Sequence, residues 1–308
     1  MSKHKSAKNV PALVPGSTKA IPPQSIRLRN FAGEVLFILI SVLLIKNCIA
    51  GPYTIPTGSM EKTLLVGDYL FVNQFLYGVK TPPNIPFTDI HLPRVTLFPA
   101  LRDPKRGDIV VFAYPGNRDQ LQSDDSRYLI KRCVGTPGDV VEVRDKGLYV
   151  NGEKFPVYPG MQFINPSTYP KGLALSAMFP RGIHQNPDNY GPLQIPKKGD
   201  TVTLTAQDFP QWSIFIQREG HTTDLRNNIA YVDDKPVTKY IVQRNYYFMM
   251  GDNRDNSEDS RFWGFVPDDD IVGQPMFLYW SWDPEIPVSD IFQKIASVRW
   301  NRIGKFPE

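Results

Sequence analysis

The sequence predicts a mainly β protein: a β-rich domain with an irregular inserted subdomain, on an N-terminal transmembrane helix. Three observations lead to this fold class. The 308 residues include 29 prolines and 22 glycines with 12% aromatic residues, a composition that favours a turn-rich β architecture over a helical bundle. Most of the chain after residue 54 consists of short apolar runs separated by turn sequences. One long apolar segment lies near the N-terminus.

Residues 1–30 form a basic, proline-rich leader. Six of the 35 Lys and Arg residues lie in the first 29 positions, which contain no Asp or Glu. This pattern is typical of the cytoplasmic flank of a membrane segment, and the composition predicts disorder. The basic and acidic residues of the remaining chain nearly balance. Nucleic acid is therefore not an expected partner, because binding it requires a basic face.

A transmembrane anchor is predicted at residues 31–50. Its most apolar part, VLFILISVLLI, would be a helix of about 16 Å, which is too short for a hydrocarbon core of about 30 Å. Extension to 31–50 gives roughly the full span, with Glu34 and Lys46 near its ends. Its length leaves two interpretations open: an uncleaved anchor, and a cleaved signal peptide with CIA before Gly51 as its cleavage site. A buried core helix fits poorly with the basic flank. Both open interpretations place the remaining chain on the outer face of the membrane.

The remaining chain divides into a β-rich catalytic domain, residues 51–155 and 241–308, and an insertion, residues 156–240. GDIVVFAYPG and YLIKRCVG are typical of strands, and TPGD, DKG and NG mark tight turns. The first half of the insertion is rich in Pro, Gly, Asn and Tyr and has weak periodicity. No glycine-rich phosphate loop and no Cys/His cluster with zinc spacing occurs, so the sequence predicts no cofactor and no metal. Cys48 and Cys133 are expected to be free thiols.

Ser59 lies in YTIPTGSMEKTL, a few residues beyond the apolar segment. If it is a nucleophile, another residue must take its proton. A Ser-His-Asp triad stays open but unsupported, because no G-x-S-x-G elbow occurs and each histidine lies in the leader or in a loop-like or ill-defined stretch. The four histidines are His4, His91, His184 and His221.

Lysine is the alternative base, provided that burial lowers its pKa from about 10.4. Lys62 completes an S-x-x-K match, as in penicillin-binding proteins, but the S-D-N and K-T-G elements of those families are missing. We therefore interpret Lys62 as a solvated turn residue. In YLIKRCVG, period-two alternation places Lys131 on the face of Leu129 and Cys133, opposite Arg132. A lysine on an apolar face is costly unless it is neutral or paired, so Lys131 is either functional or on an edge strand.

Four stretches resemble, in the same order, the motifs of bacterial type I signal peptidases (leader peptidases). They are IPTGSMEKTLLVGDYLFVNQF, KRGDIVVF, YLIKRCVGTPGD and GDNRDNSEDSRFWGFVP. The match covers about residues 52–150 and 246–280, and RWNRIGK near the end of the sequence is also similar. The resemblance implies a β-rich serine protease domain on a retained N-terminal membrane anchor. It also implies that Ser59 is the nucleophile and Lys131 its general base.

The resemblance implies two supporting residues. Thr57 stands where the family usually has a serine whose hydroxyl helps to bind the oxyanion. Ser257 stands where a family serine orients the lysine amine. The structural alternatives are a turn residue for Thr57 and one hydroxyl among many in a polar loop for Ser257.

Several charged residues of the motifs are expected to be structural. Asp252, Asp259 and Arg261 are expected to brace their loop through ion pairs, and Arg132 is likewise interpreted as structural. Position 62 is often proline in the family, so Lys62 is expected to change local stiffness without changing the chemistry.

The family cleaves after small-x-small sequences such as Ala-x-Ala, which implies shallow apolar pockets in this chain. Four residues near the predicted catalytic positions are expected to line them, with plain core packing as the alternative: Ile55, Met60, Leu64 and Ile130. An extended substrate is expected to add a strand beside residues 53–57 or 127–131.

Residues and resemblance together predict a membrane-anchored serine endopeptidase that removes signal peptides from exported preproteins. The expected location is the bacterial inner (plasma) membrane, in contact with lipid, with a single span, a cytoplasmic N-terminus and a catalytic domain on the periplasmic (outer) face. Two other functions stay open: a catalytically inactive anchored β adaptor, and a self-cleaving repressor-type Ser-Lys protease. The latter should carry a helical DNA-binding domain, for which the leader is too short and too rich in proline.

Overall fold

The computed structural model describes residues 50–81, 95–121 and 127–308, together with seven helical positions between residues 31 and 41. Within these residues, no helix combines the length and the apolar character that a membrane span requires. The predicted leader, His4, His91 and Cys48 lie outside the described residues, as does most of the predicted anchor. Residues 44–308 form one compact unit.

A seven-stranded antiparallel sheet is the main scaffold. In spatial order its strands are β1 (Ala50–Thr54), β2 (Asp68–Asn73), β18 (Ile271–Ser281), β5 (Ile109–Ala113), β6 (Tyr128–Gly135), β16 (Tyr246–Met250) and β17 (Val266–Pro267). The two halves of the predicted β-rich domain therefore share one sheet, since β18, β16 and β17 come from the C-terminal part of the chain. The mainly β fold predicted from composition and turn spacing is confirmed.

Strand β6 lies inside this sheet, between β5 and β16, so Lys131 is not on an edge strand. Val110 of β5 is paired with Lys131, and Ile109 is paired with Arg132. The two strands beside β6 consist mostly of apolar residues, because both faces of this part of the sheet are buried. Strand β5 is buried at four of its five positions, and β16 at all five.

The remaining strands form small antiparallel sheets. They are β10 (Tyr190–Gln194), β7 (Val140–Arg144), β8 (Gly147–Val150) and β9 (Glu153–Lys154) in one sheet; β11 (Thr201–Thr203) and β15 (Lys239–Ile241) in a second; β12 (Thr223–Arg226), β13 (Ile229–Val232) and β14 (Lys235–Pro236) in a third; and β3 (Val79–Lys80) and β4 (Thr96–Phe98) in a fourth. The predicted DKG and NG turns are confirmed. Asp145, Lys146 and Asn151 have positive φ angles, as hairpin turns of this kind require.

The predicted insertion contains a helix that the strand-and-turn interpretation missed, α1 (Phe209–Arg218). Pro210 stands in its first turn, where a missing N–H is harmless. The buried residues Phe209, Phe215 and Ile216 recur at helical spacing, which is the signal that could have revealed it. Among the described residues from 50 to 308, the other helices are α2 (Ser260–Trp263) and α3 (Ile291–Ala296), with 3₁₀ turns at Gly58–Met60, Asp268–Asp270 and Trp300–Arg302.

The insertion packs onto strand β16 of the main sheet. Phe215 and Ile216 of α1 belong to the same buried cluster as Tyr246, Phe248 and Met250 of β16. The hydrophobic core is therefore continuous from the insertion to the strand that leads into the GDNRDNS motif.

Glu219 fixes the end of α1 to this strand. The carboxylate is buried and accepts hydrogen bonds from the hydroxyls of Tyr240 and Tyr246 and from the backbone N–H groups of Gln243 and Arg244. Four donors converge on one side chain, which makes Glu219 the main polar link between α1 and the chain entering β16.

We expect Glu219→Ala to lower the free energy of unfolding by about 3 kcal/mol, because it leaves several buried donors without an acceptor. Urea denaturation of the full chain in detergent measures this change. The exposed Glu285 offers a matched control, and its replacement by alanine should change the value by less than about 0.5 kcal/mol. Equal effects of the two substitutions would contradict the assignment.

Candidate active site

Ser59 lies in the short 3₁₀ helix Gly58–Met60, directly after strand β1 and an extended connection. The connection is fixed to β2, because Ile55 N–H donates to Asp68 O and Gly67 N–H donates to Ile55 O. Met60 is completely buried next to Ser59, whose own exposed fraction is 8%. The apolar anchor at Met60 therefore leaves the serine hydroxyl little conformational freedom.

The Ser59 hydroxyl and the Lys131 amine are hydrogen-bonded, although 72 residues separate them in sequence. Lys131 is 2% exposed, and the described residues offer its amine no carboxylate at ion-pair distance. Its contact with Ser59 is possible because β6 runs through the sheet interior with its lysine facing the 3₁₀ helix. The pairing predicted from the sequence is present in the structure.

Burial lowers the pKa of Lys131 to about 8, because the charged amine loses its water shell. The carboxylates of Asp259 and Glu258 oppose this shift, while the positive charges of Arg261 and Arg127 add to it. A substantial fraction of the amine is thus neutral near pH 8, and a neutral amine can accept a proton.

Neither alternative base contacts Ser59 within the described part of the chain. Lys62 is exposed, and its φ angle of 75° is a left-handed conformation that proline cannot adopt. Its departure from the family's proline therefore changes the backbone path and not only its stiffness. His221 engages Asp233 through Nδ1 and Gln243 through Nε2, so both ring nitrogens are occupied away from Ser59.

The loop 251–259 packs against Ser59, and its residues Glu258 and Asp259 act electrostatically on Lys131. An added Cβ on Gly251 would lie 2.5 Å from the Ser59 carbonyl oxygen and 2.6 Å from Ser257 Cβ. Only a glycine permits this approach, and its φ angle is not in the left-handed region, so space alone is decisive here. Ser257 Oγ is buried and, among the described residues, has no hydrogen-bond partner. The predicted hydrogen bond from Ser257 to the lysine amine is not formed in this structure.

Asn253 holds the nucleophile's helix from this loop. Its backbone N–H donates to Ser59 O at 3.1 Å, and its side-chain amide donates to Gly58 O at 3.0 Å. The sequence interpretation missed both Gly251 and Asn253, although they stand in the GDNRDNS motif. A glycine and an asparagine next to an aspartate are typical of any polar turn, so nothing in the sequence separates them from ordinary loop residues.

Two buried ion pairs brace the loop, as predicted. Arg132 donates to both carboxylate oxygens of Asp252, at 2.8 and 2.7 Å, and thereby joins the residue after Lys131 to the loop. Arg261 donates to both oxygens of Asp259 at 2.8 Å, and Asp259 also accepts from the Gly251 N–H. Bidentate geometry and additional hydrogen bonds are the conditions under which buried charges are tolerated.

The proposed supporting and pocket residues differ in their exposure. Thr57 is extended and exposed, and its hydroxyl makes no capping bond to the 3₁₀ helix. Met60 and Leu64 have no exposed surface and Ile55 only 3%, since all three pack in one apolar cluster with Leu70. Met60 and Leu64 pack as core residues in this structure, and the expectation that they line a pocket stays a prediction. Ile130 is partly buried against the same cluster and keeps some exposed surface.

This arrangement can perform nucleophilic attack without histidine. A neutral lysine amine hydrogen-bonded to a serine hydroxyl can accept its proton while the oxygen attacks an electrophilic carbonyl. Cys133 lies on the same strand as Lys131 and is a buried free thiol. Burial raises the pKa of this thiol, so it remains protonated and unreactive.

The family model for "Signal peptidase, peptidase S26" matches residues 28–280 of the chain. A signal peptidase I of Pseudomonas aeruginosa is 32% identical over 276 residues, which cover 86% of this chain and 76% of that protein. A signal peptidase I of Aquifex aeolicus is 30% identical and covers 90% of this chain and 98% of its own length. A signal peptidase I structure from Enterococcus faecalis is 23% identical, covers 57% of this chain and 98% of its own, and has a TM-score of 0.25.

We expect Gly251→Ala to reduce any hydrolysis that depends on the dyad by about 100-fold, because the new methyl group must displace Ser59 or Ser257. The turnover number on a peptide substrate is the measurement. Gly172→Ala is a strict control: its φ angle of +83° adds backbone strain, but no atom lies within 4 Å of the new Cβ. If both variants retain wild-type turnover, the crowding argument fails.

Proposed function

The chain belongs to the signal peptidase family S26 and is a peptidase of the signal peptidase I type, and we propose that it is a membrane-anchored serine endopeptidase that removes N-terminal signal peptides from exported preproteins. The observation that supports this proposal most directly is the hydrogen bond between Ser59 and the buried Lys131. The reaction requires no cofactor.

The proposed reaction begins with attack of Ser59 Oγ on the scissile carbonyl carbon. The neutral Lys131 amine takes the hydroxyl proton as the C–O bond forms, and then gives a proton to the departing amine as the C–N bond breaks. The signal peptide remains on Ser59 as an ester. Lys131 next takes a proton from a water molecule, whose oxygen attacks the ester, and returns a proton to Ser59 as the signal peptide leaves.

Thr57 and the Ser59 backbone N–H are the proposed oxyanion donors. Thr57 stands directly before the 3₁₀ helix with an exposed hydroxyl that no capping bond engages, which favours this role. Ser257 is proposed to orient the Lys131 amine. Its support is the buried hydroxyl beside Gly251, for which the described residues offer no partner, because a buried polar group of this kind is stabilised when a hydrogen-bond partner reaches it.

The preprotein is proposed to bind as an added β-strand. Strand β1 is an edge strand, and the chain continues from it directly to Thr57 and Ser59. Strand β16 pairs with β6 only as far as Arg132. The residues of β6 before Lys131 pair with β5, and the described residues show no pairing between them and β16. The candidates for a shallow apolar pocket that accepts Ala-x-Ala side chains are Ile55, Met60, Leu64 and Ile130. Of these, Ile130 keeps the most exposed surface.

Residues 31–50 are proposed to anchor the enzyme in the bacterial inner membrane with its N-terminus in the cytoplasm. Eight residues separate position 50 from Ser59, so a fully extended connection would reach no more than about 30 Å. Such a short tether would keep the catalytic serine close to the lipid surface from which preproteins emerge. The assembled Ser-Lys pair favours an active enzyme over an anchored adaptor, since an adaptor has no need to bury a lysine amine.

Cleavage of an Ala-x-Ala preprotein in detergent tests the proposal. We expect Ser59→Ala and Lys131→Ala to abolish cleavage, because each removes one member of the dyad. Lys62→Ala should cut at the wild-type rate, because the Lys62 side chain is exposed and the described residues show no contact between it and Ser59. If Lys62→Ala loses activity and Lys131→Ala keeps it, then Lys62 and not Lys131 is the base. An inactive wild type would favour the adaptor.

The pH dependence follows from the pKa of Lys131. Only the neutral amine acts as a base, so we expect the turnover number to rise with pH through about 8 and then level off. Below this value it should fall about tenfold for each pH unit, as one essential group becomes protonated. A turnover profile that is flat between pH 6 and 9 would contradict a lysine base; the range is chosen to bracket the pKa of about 8.

A further inference from the structure

Residues 158–165, at the start of the insertion, run along the loop 251–259; we call this segment the strap. Gln162 makes a parallel β-bridge with Asn253. Its N–H donates to Asp252 O at 2.9 Å, and its carbonyl accepts from Arg254 N–H at 3.0 Å. The strap is therefore bonded through its backbone to the two residues that flank Asn253, which itself holds Ser59.

The strap also contacts the chain that follows the nucleophile. Gly160 packs so closely on Thr63 that an added Cβ would lie 2.8 Å from Thr63 Cβ and nearer still to its hydroxyl oxygen. The same hydroxyl donates to Asp252 Oδ2 at 2.6 Å. Gly160, Thr63 and Asp252 thus connect the strap, the segment after Ser59 and the loop in one chain of contacts.

A third contact reaches the strand of the base. The ring of Tyr158 lies 4.0 Å from the guanidinium of Arg132, the residue after Lys131, in a cation–π arrangement. At the other end of the strap, Asn165 N–H donates to Asp255 Oδ2 at 2.7 Å. Met161 Sδ accepts from the guanidinium of Arg254, a buried arginine for which the described residues show no ion pair.

These contacts converge on the three elements that carry Ser59, Lys131 and Ser257. We infer that the strap is a positioning segment for the active site: it presses the loop 251–259 onto the dyad and so sets the geometry in which Lys131 activates Ser59. The inference rests on the proposed function of the dyad. Packing that merely filled the surface of the insertion would not need to contact all three elements.

The loop 251–259, to which the strap is bonded, carries charged groups that act on the buried lysine. The groups that face Lys131 are Asp259 and Glu258 on the loop, Arg261 on α2 and Arg127 before β6. If the loop moves outward, the charged amine regains solvent, and its pKa returns toward the ordinary value of a lysine. A loosened strap should therefore impair the turnover and displace its pH profile together.

Gln162→Pro removes the N–H that bonds to Asp252, whereas Gln162→Ala keeps both backbone bonds and is the matched control. With the full chain in detergent and an Ala-x-Ala peptide, we expect Gln162→Pro to lower kcat about tenfold or more, with KM changed less than about twofold. The acid limb of its kcat profile should move upward by about half a pH unit or more. Gln162→Ala should match the wild type in all three quantities.

Gly160→Ala disturbs the contact between the strap and Thr63. It should change kcat and its acid limb in the same direction as Gln162→Pro. Amide hydrogen exchange of residues 251–259 gives a readout that needs no activity: it should become faster in Gln162→Pro and Gly160→Ala and stay unchanged in Gln162→Ala. A wild type that does not cleave would contradict the proposed function. The hydrogen-exchange result alone would then show whether the strap holds the loop in place. An unshifted acid limb together with unchanged exchange overturns the inference, even if kcat falls.

Discussion

The burial of one lysine amine is the constraint on which the rest of this structure depends. Holding the pKa of Lys131 near 8 instead of its ordinary 10.5 corresponds to a penalty of about 3 kcal/mol on the charged form. The fold maintains that penalty by placing the lysine in an interior strand and by keeping carboxylates out of direct contact. An ion pair at this position would stabilise the charged amine and remove the base.

Two carboxylates of the loop are therefore paired with arginines and not with Lys131. Arg132 and Arg261 occupy the carboxylates of Asp252 and Asp259, each through two hydrogen bonds. A buried pair of this kind adds little net stability, but loss of either partner leaves an uncompensated charge inside the protein. The ion pairs thus give a polar loop one defined conformation. In the second pair, Asp259 raises the pKa of Lys131 and Arg261 lowers it, so the two effects oppose each other.

The dyad could be predicted from the sequence because its signals are local. Lys131 stands on an otherwise apolar face of its strand, and the motif around Ser59 is contiguous, so each was visible without knowledge of the fold. The contact between these two residues, 72 positions apart, was predicted by the family resemblance and not by periodicity. Met60 and Leu64 show where the sequence leaves two interpretations open: their nearness to Ser59 predicts a pocket, and the structure packs both side chains in an apolar cluster. Gly251 and Asn253 escaped prediction because close packing leaves no signal in the sequence, and the ten-residue helix α1 escaped because its helical spacing was overlooked among strands and turns.

The same dryness that suits Lys131 to its proposed role as a base raises a difficulty for the second half of the proposed reaction, which requires water beside the ester on Ser59. Departure of the new N-terminus of the cleaved protein removes one side of the bound chain, and solvent then has access from that side alone. A site that opens in this restricted way needs its permanent walls to stay in place when the substrate leaves. The loop 251–259 forms such a wall, and it is supported from behind by backbone bonds to a segment outside the catalytic motifs. Rigidity on the protein side and access on the substrate side are thus compatible, because different parts of the chain provide them.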